Sequence, residues 1–473
     1  MSARDRRLVG LLALYALFLL WLHLLVEHFP VTWAAFWYPA RLIGPEGRLK
    51  PEEWLWGVIP ITYLPTGLRV ALLLLLMASV GWVAWGGRVP QRGIPFPRQA
   101  RVQALLAVLG WPLFYLGRVV HTRWGDAYLL VKGMAHPQVR LTYNWQAPLD
   151  TYLHARLFQL GERLWGWEDA MPAYWWLSSL AGVAALWVLL RTAAAIGRTP
   201  RERWVIFGLM TTTGAMQLFF GYPETYTLLS LLILGFLGLA WRCGQGRGSL
   251  WGPSLVWALA VGFHPSALML LPALLVLGWL VWRRRGRPLA GVLAALVIPL
   301  GGVLAVTVAL MTAGGSGLEV FLSSQAPGGS DQRWLVPLSQ VRSEWEYYTL
   351  FSRGHLMDIL NQQLLVMPFT LPLLLWLLVG YRRSLPRDGY ALFLAVAAVA
   401  YVGLTWVWNP DYGGQRDWDL FAPAAWPATL LAAYGLTRAT TAEVLARVAL
   451  IILPVQALHT AAWIYSNTRP WSW

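Results

Sequence analysis

Apolar runs follow one another along almost the whole chain, separated by short polar breaks. Thirteen of them, at about 8–26, 67–87, 102–120, 172–196, 204–220, 225–241, 249–263, 266–282, 289–312, 361–380, 389–408, 420–437 and 446–464, can be read as membrane spans. Each is long enough, or nearly so, for a helix rising ~1.5 Å per residue to cross a hydrocarbon core of ~30 Å. The pattern predicts an all-α polytopic membrane protein. One stretch has a different rhythm. Between 149 and 165, Leu149, Tyr152, Leu153, Leu157, Leu160, Leu164 and Trp165 recur at helical spacing, with Asp150, His154, Arg156, Gln159, Glu162 and Arg163 on much of the opposite side. This is an amphipathic helix expected to lie in the membrane interface. The runs at 204–220 and 249–263 are short. Each is followed at once by another, through the turns Phe220-Gly221-Tyr222-Pro223-Glu224-Thr225-Tyr226 and Phe263-His264-Pro265-Ser266. Ionisable residues at the ends of short helices point to a wet recess, because lipid does not tolerate them.

Composition excludes a soluble protein: 57% of residues are hydrophobic and 12% charged, more apolar surface than a water-facing chain can hide. The formal charge of +15 does not imply a nucleic-acid partner, because the arginines sit in short clusters between apolar runs. Placing the loops alternately on two sides sorts them into one set of net charge +18 and another of net charge −3. The basic set is expected in the cytoplasm, with the N-terminus inside, the C-terminus outside and the chain in the plasma (inner) membrane. The loops of the acidic side, chiefly 27–66, 121–171 and 313–360, are long and rich in tryptophan and tyrosine, so the work is expected there. The first apolar run is too long for a cleavable signal peptide and lacks its small-residue cleavage site. The only cysteine is Cys243, which excludes an internal disulfide and a cysteine-only metal site. The organisation expected is a two-helix extension with an outer loop (1–101), a transmembrane catalytic unit (102–464) and no soluble domain.

Candidate chemistry lies in the outer loops. Asp126, in Trp124-Gly125-Asp126-Ala127-Tyr128, follows the third span. It either caps the next helix or, with His121, Arg123, Trp124 and Tyr128 around it, serves as a base for a substrate hydroxyl. A second stretch, Asn409-Pro410-Asp411-Tyr412-Gly413-Gly414-Gln415-Arg416-Asp417-Trp418-Asp419, packs three aspartates and an arginine around a Gly-Gly turn. Arg416 suits phosphate. Asp417 and Asp419 form a D-x-D that either opens a helix or shares a divalent cation. Glu224 either caps the sixth span or, with Tyr222 and Tyr226, contacts sugar hydroxyls. His264 is either a satisfied core residue or a cavity group, and Arg353 and His355 are further phosphate contacts. The glycine segments Gly314-Gly315-Ser316-Gly317 and Pro327-Gly328-Gly329-Ser330 are either plain connections or hinges of a closing loop.

These features together resemble the C-type (GT-C) glycosyltransferase superfamily: many spans, an aspartate in an outer loop just after an early helix (Trp124-Gly125-Asp126-Ala127), and an interfacial helix beside it (149–165). The resemblance covers about 102–464. It departs from the family's usual pattern in having two helices ahead of the span that leads to the aspartate, and in lacking an adjacent acidic pair at 126. What it implies is transfer of a sugar, with inversion, from a polyprenyl-phosphate or -diphosphate donor to a hydroxyl of a glycan, lipid or protein on the extracytoplasmic face. Asp126 would be the base. Arg416, with His264, Arg353 and Arg123, would contact the donor phosphate, and Glu224, Tyr222, Tyr226, Trp124, Tyr128 and Asp411 would line the substrate site. Either no cofactor or a divalent cation (Mg or Mn) at Asp417 and Asp419 is expected. The partners expected are the lipid-linked donor, its acceptor and membrane lipids. The rival reading is a transporter or flippase for a lipid-linked sugar or an anion. It is disfavoured by the lack of an internal inverted repeat and by the gathering of polar residues at one face.

Overall fold

The computed structural model describes residues 1–471 apart from 44–48, 88, 90–93, 287 and 323–333, and apart from the Arg285 side chain. The segment Pro327–Ser330 and the basic positions Arg88, Arg92 and Arg287 therefore lie outside the described residues. Among those described there is no strand, only two isolated bridges, Ile43 with Leu49 and Leu335 with Trp408. Among the described residues nine helices are long and apolar enough to cross a membrane. A tenth span is formed if Arg353–Val366 and Thr370–Tyr381, which meet at 93°, are counted as one. The chain is an integral membrane protein built of helices.

The three remaining predicted spans are helical too, but short or interrupted. The run at 102–120 is Ala100–Leu109 continued by Trp111–Leu116, and 249–263 is the single helix Trp251–Phe263. The run at 204–220 is helix Pro200–Thr211 followed by a 3-10 turn, Gly214–Phe219. A second 3-10 turn, Pro265–Leu270, leads into Leu271–Arg285, and a third, Ala422–Ala424, breaks the span that begins at Trp418. In Pro265–Leu270 only Ala267 and Leu270 are buried, whereas the breaks at Gly214–Phe219 and Ala422–Ala424 are wholly buried, so their backbone is shielded from lipid by neighbouring helices. Irregular backbone is tolerated at membrane depth only under that condition.

Contacts between loops sort the molecule into two ends, as the charge pattern predicts. At one end Arg438 pairs with Glu202 at 3.1 Å, Arg198 donates to the Thr437 carbonyl at 2.7 Å, Arg4 stacks on Tyr381, and Arg447 donates to the Val83 carbonyl at 2.8 Å. Several helices start from this end with a side-chain cap: Ser2, Thr199, Asp388 and Thr441 each accept a backbone N–H of the first turn, satisfying donors left open by the helix geometry. At the other end the described parts of the first loop, 27–43 and 49–63, and the stretches 118–147 and 334–358 close over 409–419. Between the ends the outward surface is apolar, with Leu75, Trp82, Val379 and Val399 exposed, as a lipid-facing wall requires.

The first hundred residues are packed into the bundle. Ala3–Leu25 lies against Thr66–Ala84, Thr370–Tyr381 and Ala442–Asn467, and a single apolar core runs through all of them. Buried Arg69 joins Glu27 to close one end of this pair of helices.

The amphipathic helix is observed as Pro148–Trp165, within a residue of the prediction. Its orientation is the surprise. Leu153, Leu160, Leu164 and Trp165 are exposed, whereas Asp150, Thr151 and His154 are buried. His154 stacks on Tyr174 with ring centres 4.0 Å apart, and its Nδ1 lies 3.0 Å from the Asp150 carboxylate. In water the stripe would turn inward. Beside lipid the leucines face the acyl chains and the polar face turns to the protein interior.

Candidate functional site

Asp126 occupies the N-cap position of the short helix Ala127–Ala135, yet its side chain makes no cap hydrogen bond. The capping reading therefore does not hold. The carboxylate is turned instead onto the opposite loop, where Tyr412 donates its hydroxyl to Oδ1 at 3.0 Å and the Gln146 side chain donates as well. Burial lifts the Asp126 pKa above the ordinary carboxylate range, and these two donors pull it only part of the way back.

Gly125 brings the other acids to it. Its φ of +42° is left-handed, and a Cβ there would stand 2.6 Å from Glu224 Oε1 and 3.6 Å from Asp419 Oδ2. No side chain fits at this position. The Gly125 N–H donates to the Arg416 carbonyl at 2.9 Å, which locks the 118–126 loop onto the 409–419 loop. Gly125→Ala is expected to cost about 1–2 kcal/mol of stability from the backbone conformation alone. It should also displace Glu224, with at least a tenfold loss of any activity of this site. A variant that melts and performs like the wild type would show that the approach is not needed.

Glu224 is buried and caps nothing. Its Oε2 accepts the Thr225 N–H at 3.2 Å, and Oε1 has no partner. Burial first, then the charges of Asp419 and Asp126, hold its pKa well above the usual glutamate range. Asp419 uses Oδ1 to accept the Leu420 N–H at 3.0 Å and leaves Oδ2 unpartnered, facing the same side of Gly125. Tyr222, fully buried, stacks edge-on to Trp418 at 5.2 Å and lies beside Asp419 and Glu224, whose charges add to burial in raising its pKa. Tyr226 meets His264 with ring centres 4.8 Å apart.

His264 has a defined tautomer. Its Nδ1 accepts the Ser266 N–H at 3.2 Å and lies 2.8 Å from the Ser266 hydroxyl. Burial pushes the ring down to about 4, so at neutral pH the imidazole is uncharged and its proton sits on Nε2. That atom is buried with no partner, a donor held ready for a ligand oxygen.

The two carboxylates of the D-x-D take different partners. Asp417 Oδ2 accepts the Tyr412 N–H at 2.7 Å and closes the turn, while Asp419 faces Gly125 and Glu224. Among the described residues no three His, Cys, Asp or Glu side chains are grouped so as to hold a metal ion. Asp417 is nevertheless pushed well above the aspartate range, by burial first and then by Asp419, Asp411 and Asp126. Asp411 accepts from Asn409 at the loop's edge.

The remaining candidates sit elsewhere. Arg123 is buried against Glu53, with Trp124 and Trp471 on either side of its guanidinium. Trp124 donates to Asn467 Oδ1 at 2.6 Å. Tyr128 is 59% exposed on the outside of its helix. Arg353 lies over Phe36, and the neighbouring His355 bonds the Trp406 carbonyl at 2.9 Å.

One organiser carried no sequence signal. Asp358, buried in Arg353–Val366, accepts four hydrogen bonds: from Tyr38 at 2.8 Å, Trp56 at 3.0 Å, Tyr348 at 2.9 Å and the Gly414 N–H at 3.0 Å. It ties three loops together. Gly414 admits it so closely that a Cβ would meet its carboxyl at 2.6 Å.

No family model matches the chain, and no curated protein matches it. Among solved structures, the crystal structure of ArnT from Cupriavidus metallidurans bound to undecaprenyl phosphate is similar to this chain at 13% identity and a TM-score of 0.48, over 78% of this chain and 75% of that one.

Proposed function

We propose that the protein is a membrane glycosyltransferase of the GT-C type that moves one sugar from a polyprenyl-phosphate donor to a hydroxyl acceptor on the extracytoplasmic face. The observation that carries this reading is the state of Asp126: a carboxylate at a helix start that caps nothing, raised in pKa, and set beside two buried acids with unpartnered oxygens. A base for a hydroxyl works best when its pKa approaches the working pH, and burial moves Asp126 in that direction.

The reaction is a single displacement. Asp126 takes the acceptor hydroxyl proton, the acceptor oxygen bonds to the anomeric carbon, and the bond from that carbon to the donor phosphate breaks. The electron pair leaves with the lipid phosphate, and attack from the opposite side inverts the centre. Arg416, on the loop locked to Gly125, and the Nε2–H of His264 stabilise charge developing on the phosphate. Burial and the neighbouring acids favour the protonated form of Glu224, in which it is a neutral donor to the sugar and limits repulsion among the clustered acids. Arg123 is given no phosphate role, because Glu53 already neutralises it. Asp417 and Asp419 do not fit a divalent cation, and no step runs through one. The lipid tail lies in the bilayer between helices, which accounts for a mostly apolar protein handling a polar substrate.

The test is to incubate the purified protein in lipid nanodiscs with a panel of polyprenyl-phosphate sugars and measure free lipid phosphate against pH. Release is expected with at least one donor. The sign of the pH dependence is fixed: the base works deprotonated and its pKa is raised, so kcat/KM falls as pH drops through a value above the ~3.9 of an ordinary aspartate. No release from any donor removes the reading. Release with no acid limb removes Asp126 as the base.

A further inference from the structure

The loops that form the acid cluster have a second side. Arg123, Trp124 and Gln415 line a cleft shared with the first outer loop and the segment after helix Ala442–Asn467, and Asp126, Asp417 and Asp419 are not part of its lining. Aromatic side chains form its walls: Trp56 and Tyr63 from the first outer loop, Trp124, Trp463 and Trp471. Trp124 and Trp463 pack at 5.3 Å, and Trp124 is pinned by its bond to Asn467.

Planar polar groups line the same cleft. Glu53 accepts from Arg123 through both its oxygens, and Gln415 donates to Glu53 Oε2 at 2.8 Å while accepting from Arg123 at 3.2 Å. All three are over nine-tenths buried, and Arg123 Nε has no partner. The buried part of the cleft is balanced in charge, because the one arginine is matched by the one glutamate. His121, which also lines it, is held near 4 by burial and by Arg123, so it is neutral at physiological pH.

We infer that this cleft binds a neutral saccharide ring of the acceptor, a unit that lies away from the reacting hydroxyl. Aromatic faces cover the apolar C–H faces of a pyranose. Carboxylate, guanidinium and amide groups fixed in one network supply the paired donors and acceptors that neighbouring hydroxyls need. A phosphate would find no uncompensated charge in the buried part. Trp124 links cleft and base, being two residues from Asp126 on the same loop. The cleft is narrow as it stands, with Trp471 4.9 Å from the Arg123 guanidinium. A ring enters as Trp471 swings out and is then covered by it.

The acceptor role rests on the proposed transferase reading, but the binding can be tested apart from it. Saturation-transfer NMR would be run on the nanodisc protein with methyl glycosides of common hexoses and with their disaccharides. Wild-type protein should give a signal with at least one of them. Trp471→Ala should weaken it at least tenfold, Trp471→Phe should restore most of it, and Asp126→Asn should leave it intact. No signal from any glycoside, or the same signal in Trp471→Ala, overturns the cleft, whatever donor cleavage does. Failure of donor cleavage with saccharide binding intact would sink the transferase reading alone.

Discussion

Replacing Asp126 with asparagine should leave a folded protein that has lost transfer by about 10²–10⁴-fold, the range for removing a positioned general base. That corresponds to roughly 3–5 kcal/mol of the barrier. Asparagine keeps the shape and keeps an oxygen to accept from Tyr412, so geometry is preserved while basicity is gone. Stability should not fall, and the sign follows from the pKa direction. A carboxylate raised on folding contributes stability below its unfolded pKa and loses it as pH rises through the folded pKa. A permanently neutral amide therefore gives some stability back once the pH has passed the raised pKa of Asp126. Glu224→Gln should behave differently. Burial and the neighbouring acids favour the protonated form of Glu224, so the neutral amide should keep transfer within about tenfold of wild type. Equal losses in the two variants would mean that Asp126 is not set apart as the base. An Asp126→Asn protein with full activity would end the proposal.

The membrane architecture and the position of the acidic loop were legible in the sequence because both depend on local patterns. Apolar runs report lipid exposure directly, and the alternation of basic and acidic loops matches the two ends seen in the contacts of Arg438 with Glu202 and of Tyr412 with Asp126. Breaks within the runs were harder to see. The 3-10 turns at Gly214–Phe219 and Ala422–Ala424 contain no pattern that differs from a continuous span, yet they bring Glu224 and Asp419 to Gly125. The face of the amphipathic helix was readable but its direction was not. Periodicity gives two sides, and only the surroundings decide which one meets lipid. Partners distant in sequence were invisible. Glu53 reads as one acid in an acidic loop until Arg123, 70 residues on, is placed against it. Tyr412 was inside the stretch singled out, but a tyrosine next to an aspartate gives no hint that it will bond a different aspartate, 286 positions away.

Asp358 is the extreme of that class, and its substitution should have the largest effect on stability. A lone aspartate between methionine and isoleucine in a helix of mixed polarity has no local signature of importance. In the fold it receives two tyrosine hydroxyls, a tryptophan N–H and a backbone N–H while buried. Asp358→Ala leaves those four donors facing a cavity. Each unsatisfied buried donor costs ~1–3 kcal/mol. Water can recover part of the loss, so the net destabilisation should be about 3–5 kcal/mol. Asp358→Asn should fall between alanine and wild type: its oxygen still accepts two bonds and the tyrosine hydroxyls can rotate, but the Gly414 N–H would face the amide's own N–H. The measurement is thermal unfolding in nanodiscs alongside lipid-phosphate release well below the melting range. Release should drop even where Asp358→Ala is still folded, because untying Gly414 loosens the turn that sets Arg416 against Gly125. Asp358 is a positioning residue, since none of its bonds reaches the acid cluster. If Asp358→Ala melts as wild type does, the four bonds are not holding the outer loops. If it melts early but transfers normally when cold, they hold the fold without setting the site.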